Sequence, residues 1–118
     1  MADKTKFIEE LNAKYQPKGE YIVLGKGMLD GEVITEVDVN IPLKTINRHG
    51  LIAGATGTGK TKTLQVFVEQ LSHKGIPTLV MDIKGDLSGI AVEGEQNDKI
   101  NERYAKTKLP YQPQSFPV

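Results

Sequence analysis

Apolar and polar residues at the start of the chain follow a helical spacing. Over residues 4–15 the apolar positions recur every three or four residues, at Phe7, Ile8, Leu11 and Tyr15. This pattern predicts a short amphipathic helix from Lys4 to Tyr15. Pro17 and Gly19 follow, and both residue types predict the end of a helix.

The next segment changes to an alternating pattern, which predicts a hairpin. Residues 20–28 and 32–41 favour two strands, and the second of these has apolar residues at every other position from Val33 to Ile41. Asp30-Gly31 lies between the two strands and favours the tight turn of a β-hairpin. Pro42 cannot donate to a strand ladder, so we expect the second strand to close there. The sequence therefore predicts a small antiparallel platform.

The central part of the chain predicts a strand, a loop, a helix and a second strand. Residues 50–55 and 78–83 are short apolar runs without alternation, which is typical of parallel strands covered on both faces. Between them an apolar stripe repeats at helical spacing, at Leu64, Phe67, Val68 and Leu71. Gly75 and Pro77 indicate where this helix stops. We interpret the segment as one parallel βαβ unit with a right-handed crossover.

After residue 86 the pattern weakens. Residues 87–96 predict a loop, residues 97–108 a polar helix, and residues 114–118 the beginning of a further strand. The chain is accordingly divided into an N-terminal helix and linker (1–19), a β-hairpin platform (20–46) and a truncated α/β core (47–118). With one strong helix to cover the sheet, we expect part of the sheet to be bare and the chain to self-associate through it.

Composition excludes several classes of function. The 118 residues carry 15 basic and 15 acidic side chains, so the chain lacks the strong positive charge of a typical nucleic-acid-binding domain. It has no cysteine, which excludes disulfides and thiolate chemistry and fits a cytoplasmic protein. The longest apolar stretches are only a few residues long, far short of the roughly 20 that span a membrane.

One motif carries chemistry. Residues 54–61 read Gly-Ala-Thr-Gly-Thr-Gly-Lys-Thr and match the phosphate-binding pattern G-x-x-x-x-G-K-[ST]. A predicted strand precedes the motif and a predicted helix follows it, which is the context that the motif requires. The alternative without a ligand is an ordinary glycine-rich turn between a strand and a helix.

Each position in this loop has a physical role in binding a nucleoside triphosphate. The glycines let the backbone approach phosphate oxygens, and the inward N–H groups form an anion-binding nest at a helix N-terminus. Lys60 is the candidate catalytic residue, since its ammonium would meet the β- and γ-phosphates, and the hydroxyl of Thr61 would bind Mg²⁺. The complete predicted nucleotide-binding set is Gly54, Ala55, Thr56, Gly57, Thr58, Gly59, Lys60, Thr61 and Lys62.

Asp82 is a second candidate metal ligand. It ends the apolar run Leu79-Val80-Met81, and a carboxylate at the carboxyl end of a parallel strand faces the ligand crevice. The alternative is an aspartate that caps the following loop. Lys84 and Asp86 are weaker candidates for contact with a substrate or a neighbouring subunit. The two histidines, His49 and His73, have no second ligand near them in the sequence and are not predicted to bind metal.

Three segments together resemble the bacterial HerA-like helicase family, within the FtsK–HerA group of P-loop motor ATPases. These segments are the phosphate-loop motif, the lead-in at residues 41–50 and the block Met-Asp-Ile-Lys-Gly-Asp-Leu-Ser-Gly at residues 81–89. The block after the second strand is the more specific of them. The resemblance extends from about residue 20 to residue 92.

The resemblance implies a RecA-like α/β core, ATP with Mg²⁺, and homo-hexameric rings that move on DNA. It also implies a longer protein, of which this chain is the N-terminal portion, with the hydrolysis residues beyond residue 118. In the family, Asp82 matches the aspartate of the strand after the helix, not the Walker B residue, which argues against direct metal binding. We therefore expect this chain to bind nucleotide without efficient hydrolysis.

Two other classes of function fit the motif. A complete small P-loop kinase predicts phosphoryl transfer to a small acceptor, although few residues remain after the loop for a lid. A non-catalytic protein that uses the loop for regulation or assembly predicts nucleotide binding without turnover.

Overall fold

The computed structural model describes residues 3–85, 87–109 and 112–116. Its elements are helix α1 (Lys4–Tyr15), strands β1 (Tyr21–Leu29) and β2 (Glu32–Pro42), helix α2 (Lys60–His73) and helix α3 (Asp98–Thr107), with short 3-10 helices at Leu43–Thr45 and Ser88–Ala91. The chain forms two compact units: Met1–Asn47 with Gln96–Tyr111, and Arg48–Glu95 with Gln112–Val118. Helix α3 therefore lies in the same unit as the hairpin, a placement that the division at residue 47 did not include.

The predicted hairpin is confirmed as an antiparallel pair of β1 and β2. Asp30 and Gly31 have φ angles of 50° and 80°, the left-handed values that a two-residue turn of this kind requires. The pairing shifts register twice, between Val23 and Gly25 and between Lys26 and Gly27. At these irregularities the predicted alternation of buried and exposed side chains is interrupted. Val33 and Ile34, which are neighbours in sequence, are therefore both buried.

The core of the first unit lies between the hairpin and helix α1. Its buried side chains are Ile22, Val33, Ile34 and Val37. Helix α1 begins where the side chain of Asp3 accepts hydrogen bonds from the N–H groups of Thr5 and Lys6, which caps the helix. At the C-terminal end of α3, the ammonium of Lys108 donates a hydrogen bond to the carbonyl of Val33 in β2 at 3.0 Å and so connects this helix to the hairpin.

Helix α2 begins and ends at sequence-encoded signals. The predicted helix is confirmed over Lys60–His73, with Leu71 buried on its apolar stripe. Gly75 follows in the left-handed conformation, with φ at 73°. The N–H of Gly75 donates to Ser72 and that of Ile76 donates to Leu71, both at 2.9 Å, which is the Schellman motif that ends many helices.

The two parallel strands predicted for residues 50–55 and 78–83 are not formed in the described part of the chain. Its only sheet is the β1–β2 pair. Leu51, Leu79, Met81 and Ile83 are each at least 89% exposed. A parallel strand buried on both faces needs neighbouring strands for its N–H and C=O groups and helices above and below. In the second unit the described residues supply helix α2 but no pairing strand, so the apolar runs stay uncovered.

The end of the described chain packs into the second unit without forming a strand. Phe116 is buried, its N–H donates to the carbonyl of Ile90 at 3.1 Å, and its ring meets that of His73 edge to face at 5.0 Å. Residues 117 and 118, which the strand prediction included, lie outside the described residues. Among the described residues, no helix is long and apolar enough to cross a membrane.

Gly27 is predicted to tolerate no larger residue. A Cβ built there would lie 2.9 Å from Cγ1 of Val37 and 3.5 Å from the ring of Phe7. We expect Gly27→Ala to lower the free energy of unfolding by about 1–3 kcal/mol, the usual range for overpacking. Gly25→Ala is the matched control, because nothing lies within 4 Å of its Cβ position. Urea unfolding of both variants checks this, and equal stabilities would contradict the packing described here.

The exposed apolar runs predict self-association. Leu79, Met81 and Ile83 are 91%, 89% and 104% exposed, and contiguous exposed apolar surface promotes association in water. We expect sedimentation velocity to show concentration-dependent association that is reduced when Met81 and Ile83 are both changed to serine. A wild-type chain that stays monomeric at high concentration would refute this expectation.

Candidate functional site

The phosphate-loop motif forms an exposed loop that leads directly into helix α2. Gly57 and Gly59 have φ angles of 80° and 99°, which only glycine adopts without strain. Gly59 is the N-cap of α2 and offers no side-chain cap to the first turn. The N–H groups at the start of this helix therefore remain available to an anion, as they do at other helix N-termini.

Three donors converge on one carbonyl oxygen inside the loop. The carbonyl of Ala55 accepts from the hydroxyl of Thr58 at 2.6 Å and from the N–H of Thr58 at 3.3 Å. The ammonium of Lys60 donates to the same oxygen at 2.9 Å. The candidate catalytic lysine is thus held within the loop, and the predicted residues Ala55, Thr58 and Lys60 are brought together.

Close packing explains the first glycine of the motif. A Cβ at Gly54 would lie 2.7 Å from Oγ1 of Thr58 and 3.6 Å from Cγ of Lys60. A side chain at this position would therefore displace the hydroxyl of Thr58. The requirement arises from a close approach within the loop, since no positive φ angle is found at Gly54.

The two predicted metal ligands line the same small pocket. Thr61, in the first turn of α2, and Asp82 share a pocket of about 270 Å³. The other residues that line it are Leu64, Met81, Ile83, Lys84 and Leu87. Thr61 and Lys62 are both exposed. The residues thus offer a hydroxyl and a carboxylate to one space beside the start of the helix, which fits a hard cation such as Mg²⁺.

Asp82 also has the alternative, structural role that the sequence left open, which is to cap the loop that follows it. Its Oδ1 accepts from the N–H groups of Lys84 at 3.1 Å and Gly85 at 3.0 Å, and its Oδ2 accepts from the N–H of Leu87 at 2.7 Å. The carboxylate caps the loop that follows it. The hydrogen bond from Leu87, with those from Gly85 and Lys84, lowers the pKa of Asp82 below its ordinary value of 3.8 and outweighs the opposing effect of desolvation. Asp86 lies outside the described residues.

Other metal sites find no support among the described residues. No group of three or more histidine, aspartate and glutamate side chains there is arranged to hold a metal ion. The ring of His73 packs against Phe116, and His49 is exposed.

A larger groove of about 810 Å³ lies along α2 and is mainly apolar. Its walls include Val68, Ile76, Leu79, Leu87 and Phe116. Sequence reasoning did not predict this groove or the crowding at Ala55. The apolar run at residues 78–83 was a signal of the groove, although it was interpreted as a strand. The crowding at Ala55 has no sequence signal beyond the motif itself.

A glycine-rich loop that enters a helix at a Lys-Thr pair is typical of P-loop proteins. Comparison with known proteins gives the family. The family model described as Helicase HerA-like C-terminal matches residues 28–118. The chain therefore belongs to the HerA-like helicase C-terminal family.

Two archaeal proteins are among its curated relatives. The probable helicase MJ1565 of Methanocaldococcus jannaschii is 35% identical over 78 residues, which cover 63% of this chain and 15% of that protein. The DNA double-strand break repair helicase HerA of Saccharolobus solfataricus is 32% identical over 78 residues, which cover 66% of this chain and 14% of that protein. The chain thus spans about one seventh of the length of these relatives. No solved structure matches it.

These findings correct two details of the resemblance. The relatives named above are archaeal, so the description as a bacterial family finds no support. The matching family is the C-terminal one, so the assignment to the N-terminal portion of the family finds none either. The three segments that carried the resemblance lie before the central loop, in the loop and after α2. Such local motifs do not report which end of a long protein they belong to.

The conformation of the loop that follows Asp82 should depend on pH, because the charged carboxylate accepts the hydrogen bonds that hold this loop. Because the pKa of Asp82 in the folded chain lies below its ordinary value of 3.8, its stabilisation is present above that pH and is lost as the pH falls through the folded pKa. We expect a carboxyl ¹³C titration to place this midpoint below 3.8 and the protection factors of the amide protons of Gly85 and Leu87, which correct for the intrinsic pH dependence of exchange, to fall as the carboxylate is protonated.

Asp82→Asn is the matching variant, since an amide leaves one oxygen for three N–H donors. Asp98→Asn, in the first turn of α3, is the control of equal chemistry elsewhere. An unshifted midpoint, or unchanged exchange at Gly85 and Leu87 in Asp82→Asn, would contradict the capping role.

Proposed function

We propose that the chain is a nucleotide-binding segment of a DNA helicase or translocase ATPase and that residues 54–61 bind the phosphates of ATP with Mg²⁺. The observation that carries this proposal is the start of helix α2 at Lys60, directly after a glycine-rich loop with left-handed backbone at Gly57 and Gly59. Membership of the HerA-like helicase family supports the same function.

Each residue of the loop has a defined part in the proposal. The N–H groups from Ala55 to Lys62 and the N-terminus of α2 bind phosphate oxygens. The ammonium of Lys60, which has three N–H donors, contacts the β- and γ-phosphates, and the hydroxyl of Thr61 faces the cation. Bound Mg²⁺ would neutralise part of the phosphate charge. Asp82 holds the neighbouring loop and is the weaker candidate for a cation contact, because its oxygens already accept three N–H groups.

The core around this site is proposed to be α/β and RecA-like. In that arrangement the apolar runs 50–55 and 78–83 become parallel strands when further strands and helices cover them. The exposure of Leu79, Met81 and Ile83 supports this view, because covering three large apolar side chains of one segment is energetically favourable. The whole protein is proposed to act on DNA, as the name of the Saccharolobus relative, a DNA double-strand break repair helicase, suggests. The family resemblance of the sequence motifs is the basis for proposing that it forms a homo-hexamer in the cytoplasm and moves on DNA.

Hydrolysis needs a residue that positions the attacking water. Of the described glutamates in this unit, Glu69 lies on α2 beyond its first turn, and Glu93 and Glu95 are exposed in the loop before α3. None of them lines the pocket that Thr61 and Asp82 share. We therefore expect the chain to bind MgATP and to turn it over slowly or not at all.

Lys60→Ala tests the binding proposal. Loss of a charge-assisted contact to phosphate should weaken MgATP affinity at least about tenfold, measured by calorimetric titration. Lys99→Ala, an exposed lysine on α3, is the matched control and should leave the affinity unchanged within about twofold. Equal affinity of wild type and Lys60→Ala would refute the proposal.

Measurements of ATP turnover distinguish the proposed ATPase segment from a small kinase and from a non-catalytic nucleotide-binding protein. Steady ATP hydrolysis by this chain that is lost in Lys60→Ala would show that the hydrolysis residues are already present. Transfer of phosphate to a small acceptor would indicate a kinase. Binding without turnover in a full-length relative would indicate a regulatory protein.

A further inference from the structure

Lys84 lies in the wall of the small pocket that Thr61 and Asp82 share. The pocket has a volume of about 270 Å³, which is narrow enough for the four-carbon stem of a lysine to cross. Lys84 is exposed, and its ammonium forms no ion pair or hydrogen bond with the residues that the structure describes. A positive charge of this kind at the edge of a pocket attracts an anionic ligand.

The backbone at Lys84 is held in place beside this pocket. The carboxylate of Asp82 accepts from the N–H groups of Lys84 at 3.1 Å, Gly85 at 3.0 Å and Leu87 at 2.7 Å. Gly85 has a φ angle of 78°, a left-handed value that suits glycine, and the side chain of Leu87 is buried. These contacts fix the loop while the long side chain of Lys84 extends into solvent.

The charges around the pocket favour an anion over a bare cation. Of the residues that line it, Asp82 and Lys84 are the two with charged side chains. Both oxygens of Asp82 accept N–H groups of its own loop, which offsets part of the carboxylate charge. The ammonium of Lys84 has three N–H donors, and an anion with several oxygens, such as a terminal phosphate, can accept from them.

We infer that Lys84 binds the γ-phosphate of MgATP, as a second cation beside Lys60, and thereby makes the site favour ATP over ADP. This inference rests on the proposed function, in which the hydroxyl of Thr61 faces Mg²⁺. Because Mg²⁺ bridges the β- and γ-phosphates, the pocket beside Thr61 lies at the γ end of the triphosphate. ADP has no phosphate at that end for the ammonium of Lys84 to contact.

The experiment measures the affinity of the full chain for MgATP and for MgADP by calorimetric titration. Lys84→Ala should weaken MgATP binding about tenfold, the loss expected for a charge-assisted contact, and change MgADP binding by less than about twofold. Lys84→Arg keeps a cation that binds phosphate and should stay within about threefold of wild type for MgATP. Lys74→Ala is the matched control, because Lys74 is an exposed lysine at the opposite end of α2.

Hydrogen exchange distinguishes a phosphate contact from a structural role of Lys84. The N–H groups of Gly85 and Leu87 donate to Asp82, so their protection factors report the conformation of the loop. Lys84→Ala should leave both protection factors as they are in wild type, since residue 84 contributes only its backbone N–H to the loop. In wild type, the side-chain Cε resonance of Lys84 should shift with MgATP and shift much less with MgADP.

The outcomes separate this inference from the proposed function. If Lys84→Ala binds MgATP as wild type does while Lys60→Ala loses affinity, the inference is overturned and the proposed function stands. Equal weakening of MgATP and MgADP binding in Lys84→Ala would also overturn it, and lower protection at Gly85 and Leu87 would then assign Lys84 a structural role. A wild-type chain with no affinity for MgATP would refute the proposed function and this inference with it.

Discussion

The left-handed backbone of Gly59, followed at once by the first residue of helix α2, is the constraint on which the candidate site depends. It directs the loop across the helix N-terminus and brings Lys60 back to the carbonyl of Ala55 at 2.9 Å. A residue with a Cβ would be strained at this φ angle. Both the free N–H groups and the position of Thr61 follow from this single turn.

The elements that could be predicted from the sequence are those fixed by local interactions. The turn at Asp30 and Gly31, the helix that begins at Lys60 and its end before Gly75 each depend on residues within a few positions of one another. The runs at 50–55 and 78–83 differ, because an apolar run indicates burial without naming what covers it. Their exposure shows that the prediction of parallel strands depended on partners that the described residues do not supply.

The candidate site, like the fold, could be predicted only where it depends on interactions between residues close in sequence. The motif predicts the loop and the helix that follows it, because these depend on local backbone conformation. The crowding of Thr58 and Lys60 at Ala55 depends on side-chain rotamers, which no residue pattern encodes. For Asp82 the sequence left two roles open, and the three N–H groups at its carboxylate were visible only in the structure. The family match identifies the HerA-like helicase family but does not show what individual residues do.

The most direct test of the account is a two-dimensional NMR titration of the full chain with MgATP. Saturable shifts should be confined to residues 54–62, the rest of the first turn of α2 and the loop after Asp82. The hairpin of β1 and β2 should keep its resonances. Saturable shifts in the hairpin alone, or no shifts at millimolar MgATP in a chain that retains its helices, would contradict the claim that this loop binds nucleotide.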